Sequence, residues 1–340
     1  MTERRRGRPH VLATAGALLT LACASGASSP RGSETLGRLP SHGRIPVGAA
    51  SSATADGGAL AAPVSGADRR FEAFARDIVE LVNRDRRAAG VPELTPDPEA
   101  AAFARAEATR LVAEGFGHHA ADGSKPYQRW ARQGHTARLA ENLFRLTARA
   151  GRAYMQFDPA DAQAQLMRSP GHRRNVLDPM HTGAGVAVAF DPTRNSVYVV
   201  QEFVDRQAAV EPGPRTWRAG ETQELAGRLD PTSGLEPWMA VLYREPAPGT
   251  AALSRETRRR SYTEGSDDPA VVVPRGAFGL DGASGEFRVR LRVPPGAPPG
   301  PYTLMLYVAP RERIAAAGKA RRLSTDLGLP VALVAYEVVR

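Results

Sequence analysis

Between residues 71 and 82 the apolar positions Phe71, Phe74, Ile78, Leu81 and Val82 recur at three- and four-residue spacing. That repeat lines one face of an α-helix, and Gly90 with Pro92 beyond it ends the run. A second helix is predicted from Pro98 to about Glu114, with Phe103, Ala106, Leu111 and Val112 inward, Asp97 as its N-cap and Gly115 at its end. The pattern then changes period. Gly183 to Phe190 alternates small and apolar residues, and Ser196 to Val204 is rich in Val, Tyr and Phe. The turn Asp191-Pro192-Thr193-Arg194-Asn195 between them predicts an antiparallel hairpin. Helices followed by such a sheet give an α+β or a sandwiched α-β-α arrangement.

Beyond Arg206 the helical period is lost. Residues 207–216, with Pro212 and Pro214, read as a linker. Short runs bounded by Gly and Pro follow at Gln223–Leu229, Trp238–Tyr243, Val271–Val273, Phe287–Val293, Tyr302–Val308 and Val331–Val339. Phe287 to Val293 alternates apolar residues with Arg without a break, as a half-exposed strand does. The spacing predicts an all-β antiparallel sandwich, immunoglobulin-like in general shape. No catalytic constellation falls in it, so a binding or spacer role is the expectation there.

The N-terminus has a different grammar. Arg4, Arg5, Arg6 and Arg8 precede an apolar stretch from Val11 to Ala22, too short to span a bilayer and laid out as a secretory signal peptide. The single cysteine of the chain, Cys23, ends it. Leu19-Thr20-Leu21-Ala22-Cys23 resembles a bacterial lipobox, although Thr20 stands where an aliphatic residue is usual. Lipidation of Cys23 and ordinary cleavage after Ala24 both stay open. The Ala/Gly/Ser/Pro tract that follows has few large apolar residues to offset its ordering entropy, and reads as a tether.

Charge narrows the partners. The chain of 340 residues carries a formal net charge of +9, of which the first 22 residues contribute +3. The remainder is scattered Arg among Asp and Glu, with no basic run interleaved with aromatics, so nucleic acid is not an expected partner. With one cysteine, no intrachain disulfide and no thiolate cluster can form. Five of the seven histidines, His118, His119, His135, His172 and His181, lie between the first helix and the hairpin. Spacing alone does not separate metal ligands from packed or surface histidines.

Five stretches in order carry a resemblance. Ile78-Val79-Glu80-Leu81-Val82-Asn83-Arg84-Asp85-Arg86 continues to Gly90-Val91-Pro92-Glu93-Leu94. Phe116-Gly117-His118 precedes Asp122-Gly123, and Ala140-Glu141-Asn142-Leu143 follows. Then come Ser169-Pro170-Gly171-His172-Arg173-Arg174-Asn175-Val176-Leu177 and the hairpin from Gly183 to Phe203. Together they resemble a bacterial-type CAP domain (cysteine-rich secretory, antigen 5, pathogenesis-related 1; also called SCP) over about residues 71–204. The resemblance implies an α-β-α sandwich with a cleft faced by His118, Glu141 and His172. Two imidazoles and a carboxylate suit a divalent metal, zinc above all, and Asn142 would steady them from behind. His119 competes locally with His118, and the Asp122-Gly123 register favours His118. His135 and His181 stand where the family has aromatics, which implies packing. Departures bear on the chemistry: the family's second Glu and its Trp have no counterpart in Asp161-Ala162-Gln163-Ala164-Gln165-Leu166-Met167-Arg168.

The chain therefore divides into a signal peptide (1–23), a tether (24–67), a CAP domain (68–206), a linker (207–216) and a β-sandwich (217–340). The function expected is an exported protein, either a lipoprotein of the outer envelope or extracellular, that binds a small apolar, lipidic or envelope ligand. Membrane contact would come only through Cys23. A metal-dependent hydrolase and a structural, adhesin-like module are the alternatives. Ser169 lacks a Gly-x-Ser-x-Gly elbow, and Cys23 lies in the leader, so nucleophilic Ser or Cys catalysis is not expected.

Overall fold

The apolar stripe of Phe71–Val82 lies on helix α1 (Gly66–Ala88), with Ile78 and Val82 buried. This computed structural model describes residues 18–19, 66–211, 213–245, 269–317 and 328–339. Cys23 and residues 24–65 of the tether lie outside the described residues. Helix α2 (Pro98–Glu114) is capped by the Asp97 carboxylate, which accepts from the Ala100 N–H, and ends at Gly115. Shorter helices follow: α3 (Pro126–Arg132), α4 (Ala153–Gln156), α5 (Pro159–Arg168) and α6 (Pro170–Leu177).

Between these helices runs a sheet of β1 (Leu18–Leu19), β2 (Thr95–Pro96), β3 (Leu139–Thr147), β4 (Gly183–Asp191) and β5 (Ser196–Val204). Its order is β1-β3-β5-β4-β2, with β4 and β5 forming the expected antiparallel hairpin. Alternation along the strands sends side chains to two helical layers. Ala140, Phe144, Val186, Val188, Val197 and Val199 pack with Ile78 and Val82 of α1. Leu143, Ala187, Tyr198 and Val200 pack with Ala104, Ala108 and Leu111 of α2. The α-β-α layering is thus the observed one. One inward position on α2 was misread: Ala106 is exposed and Glu107 is buried, neutralised by Arg110 at 2.7 Å and by Arg129 at 2.6 Å.

The close approach of α2 to the sheet depends on one glycine. A Cβ on Gly185 would stand 2.1 Å from the Ala101 nitrogen, so only hydrogen fits there. On the other side, Arg86 of α1 is completely buried and donates to four backbone carbonyls. These are Pro92 and Val176 at 2.6 Å, Asp178 at 3.0 Å and His181 at 3.3 Å. One side chain thereby ties α1 to the segment leading into β4.

The stretch 207–216 is not a bare linker. Ala208–Glu211 forms β6, which pairs with β8 (Thr222–Leu229), and Ala208 and Val210 point inward. The alternation is only four residues long and is followed at once by Pro212 and Pro214, which are signals of a linker. The remaining strands are β7 (Thr216–Arg218), β9 (Leu235–Arg244), β10 (Pro269–Pro274), β11 (Phe278–Leu280), β12 (Glu286–Arg292), β13 (Gly300–Pro310) and β14 (Leu329–Val339). Helix α7 (Arg311–Ala317) follows β13. Sheets ordered β10-β9-β13-β14-β7 and β11-β12-β8-β6 share one core that includes Leu225, Leu242, Phe287, Val289, Leu304 and Val334.

The helical and β regions are joined by packing as well as by chain. Phe103, Tyr127, Trp130, Leu139 and Val204 share a buried cluster with Met239, Val241, Met305, Tyr307 and Leu333. Backbone bonds cross the seam, from the Arg138 N–H to the Val331 carbonyl and from the Leu333 N–H to the Thr136 carbonyl. The Tyr127 hydroxyl donates to Glu245 at 2.8 Å.

Candidate functional site

Glu141 lies on β3 and Glu202 stands directly opposite it on β5. Both side chains fall on the α2 side of the sheet, the parity shared by Leu143 and Val200. His118, from the loop after α2, places its Nδ1 2.7 Å from the Glu141 Oε1. His118, Glu141 and His172 are all buried, at 7 %, 4 % and 7 % exposure, and Glu202 is wholly inaccessible. His118, not His119, meets the carboxylate.

The electrostatics divide the two carboxyls. Burial alone would raise the Glu141 pKa, but the hydrogen bond and charge of His118, with help from Arg129, hold it below the ordinary range. Glu202 is pushed well above its ordinary value by burial, by Glu141 and by Glu107, and only weakly countered by Arg129. The two carboxyls are thus driven apart in acidity, Glu202 holding its proton more tightly than an ordinary carboxyl and Glu141 less tightly. Two like charges opposite each other in a dry sheet face are avoided in this way. His172, at the start of α6, is driven down to about 4, chiefly by burial and then by the charge of His118, so it is neutral at neutral pH.

Asn142 lies next to Glu141 and ties the cluster to the other face. Its amide donates to the His172 carbonyl and to Gln201 Oε1, each at 3.1 Å, and its oxygen accepts from Asn175 at 2.9 Å. The chain continues from Gln201 to Gln163 at 2.8 Å and from Gln163 to Asp85 at 2.9 Å. A buried amide relay thus fixes the backbone that carries Glu141 and His172. Gln163, which lies in the stretch lacking the family's second Glu, belongs to this relay.

Divalent-metal donors are present in kind. Glu141 Oε2 and His172 Nδ1 are buried without a hydrogen-bond partner, atoms that a cation or water would satisfy. The His118 Nδ1, however, is already paired with Glu141. Among the described residues no three His, Cys, Asp or Glu side chains converge as a metal-holding group. The donor set thus matches a divalent ion in chemistry, while its present arrangement is a hydrogen-bonded one.

The other histidines have separate surroundings. His135 stacks on Trp130 at 3.7 Å. His181 stacks on Phe203 and also pairs with Asp205 at 2.7 Å, which in turn meets Arg138 at 3.0 Å. The sequence reading assigned no role to Glu202, Glu107 or Arg129. A signal for Glu202 was available: Gln201-Glu202 interrupts the otherwise apolar run of β5, every residue of which is buried.

A groove of about 990 Å³ lies apart from this cluster, at the edge of the sheet. Its walls are α1 and α2, and its floor is β4 from Ala184 to Ala189. Phe71, Ala75, Val79, Ala101 and Ala108 give it an apolar lining.

Residues 79–203 match the family described as the cysteine-rich secretory protein family, CAP, and the chain carries a CAP domain there. Solved structures with a likeness include an extracellular protein containing an SCP domain from Bacillus anthracis, 22% identical, with a TM-score of 0.34. That match covers 42% of this chain and 45% of the other. A cysteine-rich secretory protein from Staphylococcus aureus is 17% identical over 40% of this chain and 39% of its own, with a TM-score of 0.31. An outer surface protein from Borrelia burgdorferi is 15% identical over 40% of this chain and 94% of its own, with a TM-score of 0.34. The chain thus spans less than half the length of the first two. No curated protein gives a significant match.

Proposed function

We propose that this chain is an exported binding module of the cell envelope, seating an apolar or envelope-derived ligand in the groove between α1 and α2. The observation that carries the reading is the groove itself: about 990 Å³, within the size range of small-ligand sites, with Phe, Ala and Val on its walls among a few charged residues, Glu72, Arg76, Glu80 and Arg105. The basic and apolar leader ending at Cys23 supports export, and lipidation of Cys23 would fix the module to a membrane. The paired sheets of the C-terminal region fit an immunoglobulin-like spacer that holds the groove outward. The test is displacement of a fluorescent fatty acid, and direct binding of apolar peptides, on the full chain and on Ala75→Trp, which fills the groove. Saturable binding lost in the variant supports the reading; no binding of either class removes it.

A second reading rests on the unpartnered Glu141 Oε2 and His172 Nδ1. With His118 they would hold a divalent ion such as zinc, which supplies Lewis acidity and a water of lowered pKa for hydrolysis. Zinc titration of the full chain, compared with His118→Ala and His172→Ala, tests it. A stoichiometric site abolished by both substitutions keeps the hydrolase reading; no site in the native chain ends it.

A further inference from the structure

The floor of the groove is the open edge of a β-strand. Strand β2 covers the edge of β4 only at Gly183 and Ala184, where the Asp97 N–H donates to the Ala184 carbonyl. Successive backbone groups of a strand point alternately to its two neighbours. The pairing of β4 with β5 runs from Gly183 to Asp191 without a register shift, so the parity holds throughout. The N–H and C=O groups of Val186, Val188 and Phe190 therefore face the same outer side as the Ala184 carbonyl. Among the described residues none of them has a partner on that side.

The two helices make this edge a slot. Helix α1 packs on the face carrying Val186 and Val188, and α2 on the face carrying Ala187. A chain lying along the edge would send alternate side chains to an α1 wall of Ala75 and Val79 and an α2 wall of Ala101 and Ala108. Arg105 stands on the α2 wall with no carboxylate partner among the described residues. Asp97, the other charged residue on that wall, is already paired with Arg206 at 3.0 Å, while the α1 wall carries Glu72, Arg76 and Glu80 beside its apolar positions.

From this arrangement we infer that the groove binds an extended peptide, added as a further strand to β4. Its small apolar side chains would alternate between the walls, and one acidic side chain would meet Arg105. The inference rests on the groove being the binding site, as proposed above, and narrows its ligand to a class. An acyl chain of matching volume would fill the walls but leave the open backbone groups of β4 desolvated and unpaired. A peptide backbone satisfies them, which is the basis of recognition by strand addition. On the α2 wall the cationic Arg105 sets the polarity of the charged contact.

The test uses a fluorescein-labelled peptide, acetyl-Ala-Val-Ala-Glu-Ala-Val-Ala-amide, and the full chain. Two further peptides carry backbone N-methyl groups on alternate residues, one for each parity. The expected result is saturable binding that drops at least about tenfold for one methylated parity and less than about threefold for the other. Hydrogen exchange at the Val186, Val188 and Phe190 amides should slow in the complex. Arg105→Glu should weaken the Glu peptide at least about fivefold and prefer the same peptide with Lys in place of Glu. Equal effects of the two methylated parities, or unchanged exchange at the three amides, overturn strand addition. Binding of palmitate without binding of any peptide overturns the inference and leaves the proposed binding function standing. If neither binds, both fall.

Discussion

Acidification offers a direct probe of the buried cluster, because His172 should make the protein less stable as pH falls. Its pKa lies at about 4 in the folded chain, against an ordinary 6.5. Between these values the unfolded chain binds a proton at this position and the folded chain does not. Stability then rises with pH across that window and falls as pH drops through it. At 1.36 kcal/mol per unit, a depression of this size is worth about 3 kcal/mol, fully in force above the ordinary histidine value and gone below about 4. The raised pKa of Glu202 acts in the opposite sense, since its folded form keeps a proton that the unfolded chain has lost above the ordinary carboxylate range. Subtracting a variant isolates the histidine term. Urea unfolding, followed by tryptophan fluorescence from about pH 7 to about pH 4, should be run on the native chain and on His172→Gln. The native chain should lose about 3 kcal/mol more than the variant across this range. Parallel profiles would refute the reasoning, because they would place His172 in water or give it an acidic partner that none of the described residues provides.

Three other expectations follow from the packing. Arg86→Ala should destabilise the chain by about 3–5 kcal/mol, since it leaves four carbonyls facing a dry void; denaturant midpoints read this, and a loss under about 1 kcal/mol would contradict it. Gly185→Val should prevent α2 from closing on β4, because even a Cβ meets the Ala101 backbone at 2.1 Å; soluble expression and near-ultraviolet circular dichroism check this, with native yield and spectrum as the contrary result. A fragment of residues 66–206 should expose the face formed by Tyr127, Trp130 and Val204 and bind a hydrophobic dye or aggregate, whereas a cooperative, dye-silent fragment would show that the seam with the β region is dispensable.

Much of the helical region was legible because its elements follow simple periods. The α1 stripe, the Asp97 cap, the Gly115 stop and the β4–β5 hairpin all fall where three-, four- and two-residue repeats put them. Strand β3 was not read as a strand, because the sequence around Glu141 and Asn142 breaks the apolar alternation with the residues that make the cluster. The same effect hid Glu107 on α2: a charged residue on a buried helix face is intelligible only once Arg129 from another helix is placed beside it. His118 and Glu141 could be paired by resemblance, but Glu202 needed the register of β3 against β5. Short β6 was masked by the prolines that follow it.

The two candidate sites use the same sheet in different ways. The cluster lies on one face, where Glu141, Glu202 and His118 are closed in by Glu107 and Arg129 and the backbone behind them is fixed by the Asn142 relay. A dry, hydrogen-bonded arrangement of this kind gives rigidity, and opening it to a ligand would break the His118–Glu141 pair. The groove lies on the edge, where β2 stops after two residues and leaves the rest of β4 bordered by α1 and α2 alone. Nothing has to break there for a ligand to enter. The elements that position its walls are the ones most firmly anchored, α1 through Arg86 and α2 through its contact with Gly185. Preformed walls reduce the ordering cost of binding, which favours the edge groove over the buried cluster as the site of the proposed binding.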